Sequence, residues 1–257
     1  MTSLFNLSGK NAIITGSSRG IGKAIAYRMA EHGARVIITS RKIDACEKVS
    51  SEINEKFGQD KSIPIACNIS DKDQLKHLYS KSKEWCGDIS TLVCNAAVNP
   101  YFGPSLNTPD EAFEKIMKSN VQSNFWLCNE ILPEMIARKS GSIIIISSVA
   151  GLYGTPMLGA YAISKAADSQ ITRNISVEHG ANNIRANCIS PGLIKTDFAR
   201  ALWENESILK AATSHSALKR IGMPDEIAGA AVFLASDAGA FITGQNIVIN
   251  GGDAPGL

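Results

Sequence analysis

The stretch "NAIITGSSRGIGKAIAYRMAEHG", residues 11–33, decides the fold. It opens on a short apolar run (11–15) and breaks at Gly16, Gly20 and Gly22. It then carries apolar residues at helical spacing. Strand, glycine turn and helix in that order make a phosphate-binding βα unit. Glycine lets the backbone turn tightly and come close to a pyrophosphate. The helix start adds unpaired N–H groups and the positive end of a dipole. Gly16, Ser18, Arg19, Gly20, Ile21 and Gly22 are therefore candidate dinucleotide contacts. A glycine cluster alone is weak evidence; this one gains weight from its place between strand and helix.

The same rhythm continues outward. Further strand candidates fall at 35–39, 62–66, 91–94, 142–147, 184–189 and 246–250, separated by segments of 3.6-residue periodicity. The runs are apolar throughout rather than alternating, as strands covered on both faces of a parallel sheet should be. Strand and helix alternating in this way predict an α/β fold, a Rossmann-type doubly wound parallel sheet of seven strands with helices on both faces. No linker, low-complexity tract or repeat interrupts it, so residues 1–257 read as one domain. One excursion breaks the rhythm, at about 192–223. A loop of that length in a compact domain suggests a substrate lid. Phe198, Leu202 and Trp203 give it an apolar face that could pack on the body, touch substrate, or both.

Bulk properties exclude several functions. The chain is 44% hydrophobic and 19% charged, the balance of a globular protein. A formal net charge of +2, with no long basic run, argues against a nucleic-acid partner. No apolar run approaches the roughly 20 residues of a membrane span. The first residues lack the pattern of a signal peptide, and the ending at 255–257 is not a peroxisomal one. Six cysteines without paired spacing read as buried free thiols, and four dispersed histidines give no metal-binding set. Cytoplasm is the expected compartment.

The second strand candidate ends Thr39-Ser40-Arg41. An NAD site of this kind places a carboxylate there on the ribose 2′-hydroxyl. Ser40 and Arg41, with Arg19 in the glycine loop, suit a 2′-phosphate instead, so NADP(H) is the expected cofactor. Farther along, "GAYAISKAAD" (159–168) holds Tyr161 and Lys165 four apart, neighbours on a helix. A cation beside a phenol lowers its pKa from about 10 toward the working range. Alone, that spacing is equally consistent with chance.

Together these segments closely resemble the short-chain dehydrogenase/reductase family over about residues 7–252. The marks are "TGSSRGIG" (15–22), "CNAA" (94–97), "SNV" (119–121), "ISSVAG" (146–151), "YAISK" (161–165), "SPGLIKTDF" (190–198) and "ITGQNIVINGG" (242–252). Within the family, "CNAAVNPYFG" (94–103) and "PGLIKTDFARALW" (191–203) are similar to NADP-dependent carbonyl/retinal reductases of the peroxisomal type and their bacterial relatives. The resemblance implies that Tyr161 is the acid or base and that Lys165 lowers its pKa and holds the nicotinamide ribose. It also implies that Ser148 binds the substrate oxygen, and that the Asn120 backbone binds a water linking Lys165 to solvent. Asn95 and Ala96 would line the adenosine ribose, Asn68 and Ile69 the adenine. Pro191, Gly192, Ile194 and Thr196 would hold the carboxamide. The chain departs from the family pattern at Cys94, at Asn68 where an aspartate is usual, and at Asn250. Asn68 can still accept a bond from an adenine amino group.

The resulting expectation is hydride transfer between NADP(H) and an apolar or aromatic ketone, aldehyde or secondary alcohol. Tyr101, Phe102, Leu152, Tyr153, Met157, Leu158, Phe198 and Trp203 are candidates for the pocket. One alternative is a 3-oxoacyl-carrier-protein reductase, with Arg138 and Lys139 meeting the acidic carrier. Another is a non-catalytic NADP(H) sensor. The resemblance also implies a homotetramer joined through helices over 109–138 and 160–179 and through the C-terminal edge.

Overall fold

The structure is a computed structural model and describes residues 4–253. The first three residues and the ending at 255–257, on which the targeting expectations partly rest, lie outside the described residues. Seven strands form one sheet: β1 (Asn11–Thr15), β2 (Arg35–Ser40), β3 (Ser62–Ala66), β4 (Thr91–Cys94), β5 (Gly141–Ile146), β6 (Ile184–Pro191) and β7 (Asn246–Ile249). Every pairing is parallel, in the order β3-β2-β1-β4-β5-β6-β7. The helices are α1 (Gly20–Glu31), α2 (Ile43–Phe57), α3 (Lys72–Cys86), α4 (Asp110–Ile116), α5 (Ser123–Ala137), α6 (Gly159–His179), α7 (Arg200–Trp203), α8 (Glu206–Thr213) and α9 (Pro224–Ala235).

Alternation along each strand splits the core into two layers. Ile14, Ile38, Val93, Ile144 and Ile189 face the side where α1 packs on α9. Ile13, Ile37, Leu92, Ile143 and Ile145 face the opposite layer, with Leu78 of α3 and Ile131 of α5. Each such side chain contributes roughly 1.5–3 kcal/mol by leaving water. The expected two-sided burial fails at the margins. Val248 of β7 and Ala66 of β3 are exposed, because each edge strand has a neighbour on one side only. Pro64 sits inside β3, a position that proline tolerates on an edge strand.

Sequence periodicity predicts one helix over 109–138. The structure instead interrupts it with a π-helical segment at Met117–Gln122 between α4 and α5. Such wide turns keep the apolar faces aligned yet spread the backbone, and they often mark functional sites. The excursion at 192–223 folds as α7 and α8. An isolated bridge between Ile194 and Gly222 closes its base. Among the described residues no helix is long and apolar enough to cross a membrane.

Candidate active site

A cleft of about 1680 Å³ lies across the carboxyl ends of the strands, beside the point where the order reverses between β1 and β4. Open α/β sheets bind ligands at that position. Gly16 and Gly20 both have positive φ (+66° and +56°), and a Cβ on Gly16 would stand 3.0 Å from the Ala96 Cα. Ser17 braces the turn: its hydroxyl donates to the Ile14 carbonyl at 2.6 Å and accepts from the Thr39 N–H at 2.9 Å. Gly16, Ser18, Arg19, Gly20 and Ile21 line the cleft. Gly22 does not; a Cβ there would meet the Gly16 carbonyl at 2.5 Å, so this glycine serves the packing of loop on helix. The first turn of α1 holds no acidic residue and no side-chain cap, which leaves its N–H groups for an anion.

Ser40, Arg41, Asn68 and Ile69 line the far end of the cleft, and Lys42 joins them, a residue sequence reasoning passed over. Its position directly after Arg41 was the available signal. Arg19 pairs with Asp197 of the excursion at 3.6 Å, so the glycine loop and the root of the excursion touch. Asn95 holds the loop from below, its amide donating to the Thr15 and Gly16 carbonyls at 2.9 and 3.2 Å. Asn95, Ala96, Pro191, Gly192, Ile194 and Thr196 all reach the cleft wall.

Tyr161 and Lys165 lie on one side of α6, with the Lys165 Nζ 5.8 Å from the centre of the Tyr161 ring. Both line the cleft, and Ser148 joins them from the end of β5. The Ser148 hydroxyl also accepts from the Ala150 N–H at 3.1 Å, so it caps the turn that follows the strand as well. Burial pushes the Tyr161 hydroxyl up, while the Lys165 charge and the Ser148 hydrogen bond pull it down; the net direction is upward. The expectation of a lowered pKa is thus corrected, because desolvation outweighs the cation. Asn120 sits in the π-helical segment, outside the cleft lining. Its side chain accepts from the Val98 N–H at 2.8 Å and donates to the Val98 carbonyl at 3.0 Å. Its carbonyl accepts from the Asn124 amide at 2.7 Å. Asn124 and Asp168 were not singled out from sequence, although both are buried polar side chains on the inner faces of α5 and α6.

Of the proposed pocket residues, Phe102, Leu158 and Phe198 line the cleft, joined by Leu202. The Phe198 ring stands 6.0 Å from that of Tyr161. Tyr101, Leu152, Tyr153, Met157 and Trp203 lie outside the lining. Tyr101 donates to the Pro104 carbonyl, and the Trp203 indole N–H to the Thr196 carbonyl at 2.8 Å, which turns that ring away. Arg138 donates to the Ile89 and Ser140 carbonyls, at the amino ends of β4 and β5. That is the far side of the sheet from the cleft, so a carrier docked on Arg138 and Lys139 would not meet the site.

A family model described as enoyl-(acyl carrier protein) reductase matches residues 16–253. The dehydrogenase/reductase SDR family member 4 of Bos taurus is 37% identical over 247 residues, 96% of this chain and 88% of its own. The chain belongs to the short-chain dehydrogenase/reductase family. Two solved members of it align throughout. One is a 7α-hydroxysteroid dehydrogenase complexed with NADH and 7-oxo glycochenodeoxycholic acid, 35% identical with a TM-score of 0.92, covering 98% of this chain and 97% of that one. The other is a 3-oxoacyl-(acyl-carrier-protein) reductase from Agrobacterium tumefaciens C58 with NADP bound, 30% identical with a TM-score of 0.91, covering 98% of both. Short-chain dehydrogenase/reductases are oxidoreductases that act on alcohol and carbonyl groups with a nicotinamide cofactor. The residues present suit that group: the uncapped start of α1 and the cradle that a Cβ on Gly16 would fill match a pyrophosphate.

Proposed function

We propose that the protein reduces apolar or aromatic ketones and aldehydes with NADPH, and oxidises the matching alcohols in reverse. The observation that carries this reading is the convergence of Tyr161, Lys165 and Ser148 on a cleft walled by Phe102, Leu158 and Phe198. Preference for NADP(H) rests on the edge formed by Ser40, Arg41 and Lys42, which offers cations and no carboxylate to a 2′-phosphate. The glycine loop and α1 would hold the pyrophosphate, and Pro191, Gly192, Ile194 and Thr196 the carboxamide. When bound, the nicotinamide supplies or accepts the hydride.

The residues of this chain manage the proton and the developing charge. The Tyr161 hydroxyl lines the cleft beside Ser148 and donates its proton to a carbonyl oxygen. Ser148 offers a second hydrogen bond to the same oxygen, where negative charge builds as the carbon is reduced. Lys165 keeps its charge and favours the phenolate left behind. Asn120 holds the loop after β4 by its paired bonds to Val98. The segment 192–223 acts as a lid whose root at Asp197 meets Arg19. We place the enzyme in the cytoplasm, in keeping with its six free cysteines, five of them buried. We further propose a homotetramer, on the exposed apolar residues Phe125 of α5, Ile163 and Val177 of α6 and Phe241 before β7.

A panel of aryl ketones, aldehydes and dicarbonyls assayed with NADPH and NADH tests this reading. Turnover should favour NADPH, and Tyr161→Phe should reduce it by about 10²–10⁴-fold, the usual share of a positioned proton donor. Full activity in Tyr161→Phe would remove the assignment.

A further inference from the structure

The helix that carries Tyr161 and Lys165 also carries a carboxylate with no exposed surface, Asp168. Its two oxygens are both engaged. Oδ2 accepts from the Lys165 Nζ at 3.0 Å, and Oδ1 accepts from the Asn124 Nδ2 at 3.0 Å. The same Asn124 nitrogen gives its other hydrogen to the Asn120 carbonyl at 2.7 Å. A continuous run of hydrogen bonds thus links the π-helical segment through α5 to the Lys165 ammonium. An ammonium has three N–H donors. Lys165 directs one at the Ile146 carbonyl at 2.8 Å and one at Asp168, which leaves a single donor for whatever enters the cleft.

A buried ion pair is seldom the most stable way to fill a core, since well-packed apolar residues often do as well or better. The arrangement therefore calls for a reason other than stability. We infer that Asp168, oriented by Asn124, is a positioning residue of the reaction that fixes the direction of the Lys165 ammonium and offsets the charge it presents to Tyr161. The inference rests on Tyr161 being the proton donor. Asp168 opposes Lys165 at the phenol: its negative charge raises the hydroxyl that the ammonium lowers. The other titratable groups facing this set are thiols, Cys94 at the end of β4 against Cys128 of α5, and Cys188 on β6. Burial helps push Cys94 up behind its contact with Cys128, and it carries Cys188 to about 12, so neither is a thiolate in the working range. Asp168, itself raised by burial and held back by Lys165 and Asn124, is the carboxylate in contact with Lys165 at 3.0 Å.

Asp168→Asn is the direct test. An amide of the same shape puts an NH2 group where one of the two engaged carboxylate oxygens stands, so at those positions a donor would face Lys165 or Asn124, and it carries no charge. In the protein without cofactor, difference absorbance titration against the matching Tyr161→Phe protein reads the ionisation of Tyr161 alone. Asp168→Asn should lower that ionisation by about one pH unit, and the corresponding limb of the kcat profile should move the same way. Asp168→Ser, which removes the same charge and leaves a smaller polar side chain, should shift it in the same direction and decides the matter if Asp168→Asn does not fold. Unchanged Tyr161 ionisation in a folded variant, or kcat lowered equally at every pH, would overturn the inference. Activity that survives in Tyr161→Phe would instead undo the assignment of the proton donor, and the titration still reports on Asp168.

Discussion

A phenol, an ammonium and a carboxylate within two turns of one helix behave as a set, and the sequence displays only part of it. Tyr161 and Lys165 are legible because a helix fixes the relation of residues four apart. Asp168 follows Lys165 by three and is visible as a charge, yet its meaning depends on Asn124, which arrives from α5 at 3.0 Å. No local pattern announces that meeting. The same limit applies to Ser148, which both faces the cleft and caps a turn. At the cofactor edge, Arg41 is the residue to test. Arg41→Ala should raise the KM for NADPH about tenfold, the loss of one charge-assisted bond, and leave that for NADH nearly unchanged. Equal losses with both cofactors would move the 2′-phosphate elsewhere.

Among the elements, the strands were the most legible, because parallel strands covered on both sides read as unbroken apolar runs. The π-helical segment between α4 and α5 was not legible. It keeps the apolar spacing of its neighbours, and what holds it open is the pairing of Asn120 with Val98, a contact across 22 residues. The excursion at 192–223 was visible as length but not as orientation: the Trp203 indole N–H bonds the Thr196 carbonyl, which turns that ring from the cleft. Helix α9 allows a prediction about pH. Glu226 accepts from Arg220 and from the Met223 N–H at the helix start, and these bonds lower it from 4.5 to about 2. Its folded value lies below its unfolded one, so its contribution is complete above pH 4.5 and fades as pH falls toward 2. Glu226→Gln should lower the Tm at pH 7 by about 1–3 °C. The gap should narrow steadily below pH 4.5; a gap that stays constant into acid would show that the charge does not matter.

Taken whole, the molecule is a sheet between two apolar layers, and its stability depends on the central strands. Ile144 on β5 is fully buried in the layer that α1 and α9 cover. Ile144→Ala should cost about 2–5 kcal/mol and lower the Tm by roughly 5–15 °C, as read by calorimetry. A loss below about 1 kcal/mol would mean that the layer closes over the gap. The sheet ends at β3 on one side, and that border has a consequence for how copies of the chain meet. An outermost strand is a template on which another molecule can add a strand of its own and seed aggregation. Pro64 lies in the middle of β3 and has no N–H to offer a newcomer. Pro64→Val should leave activity intact while turbidity on warming appears at lower temperature and lower concentration, since a valine would restore the donor that proline withholds.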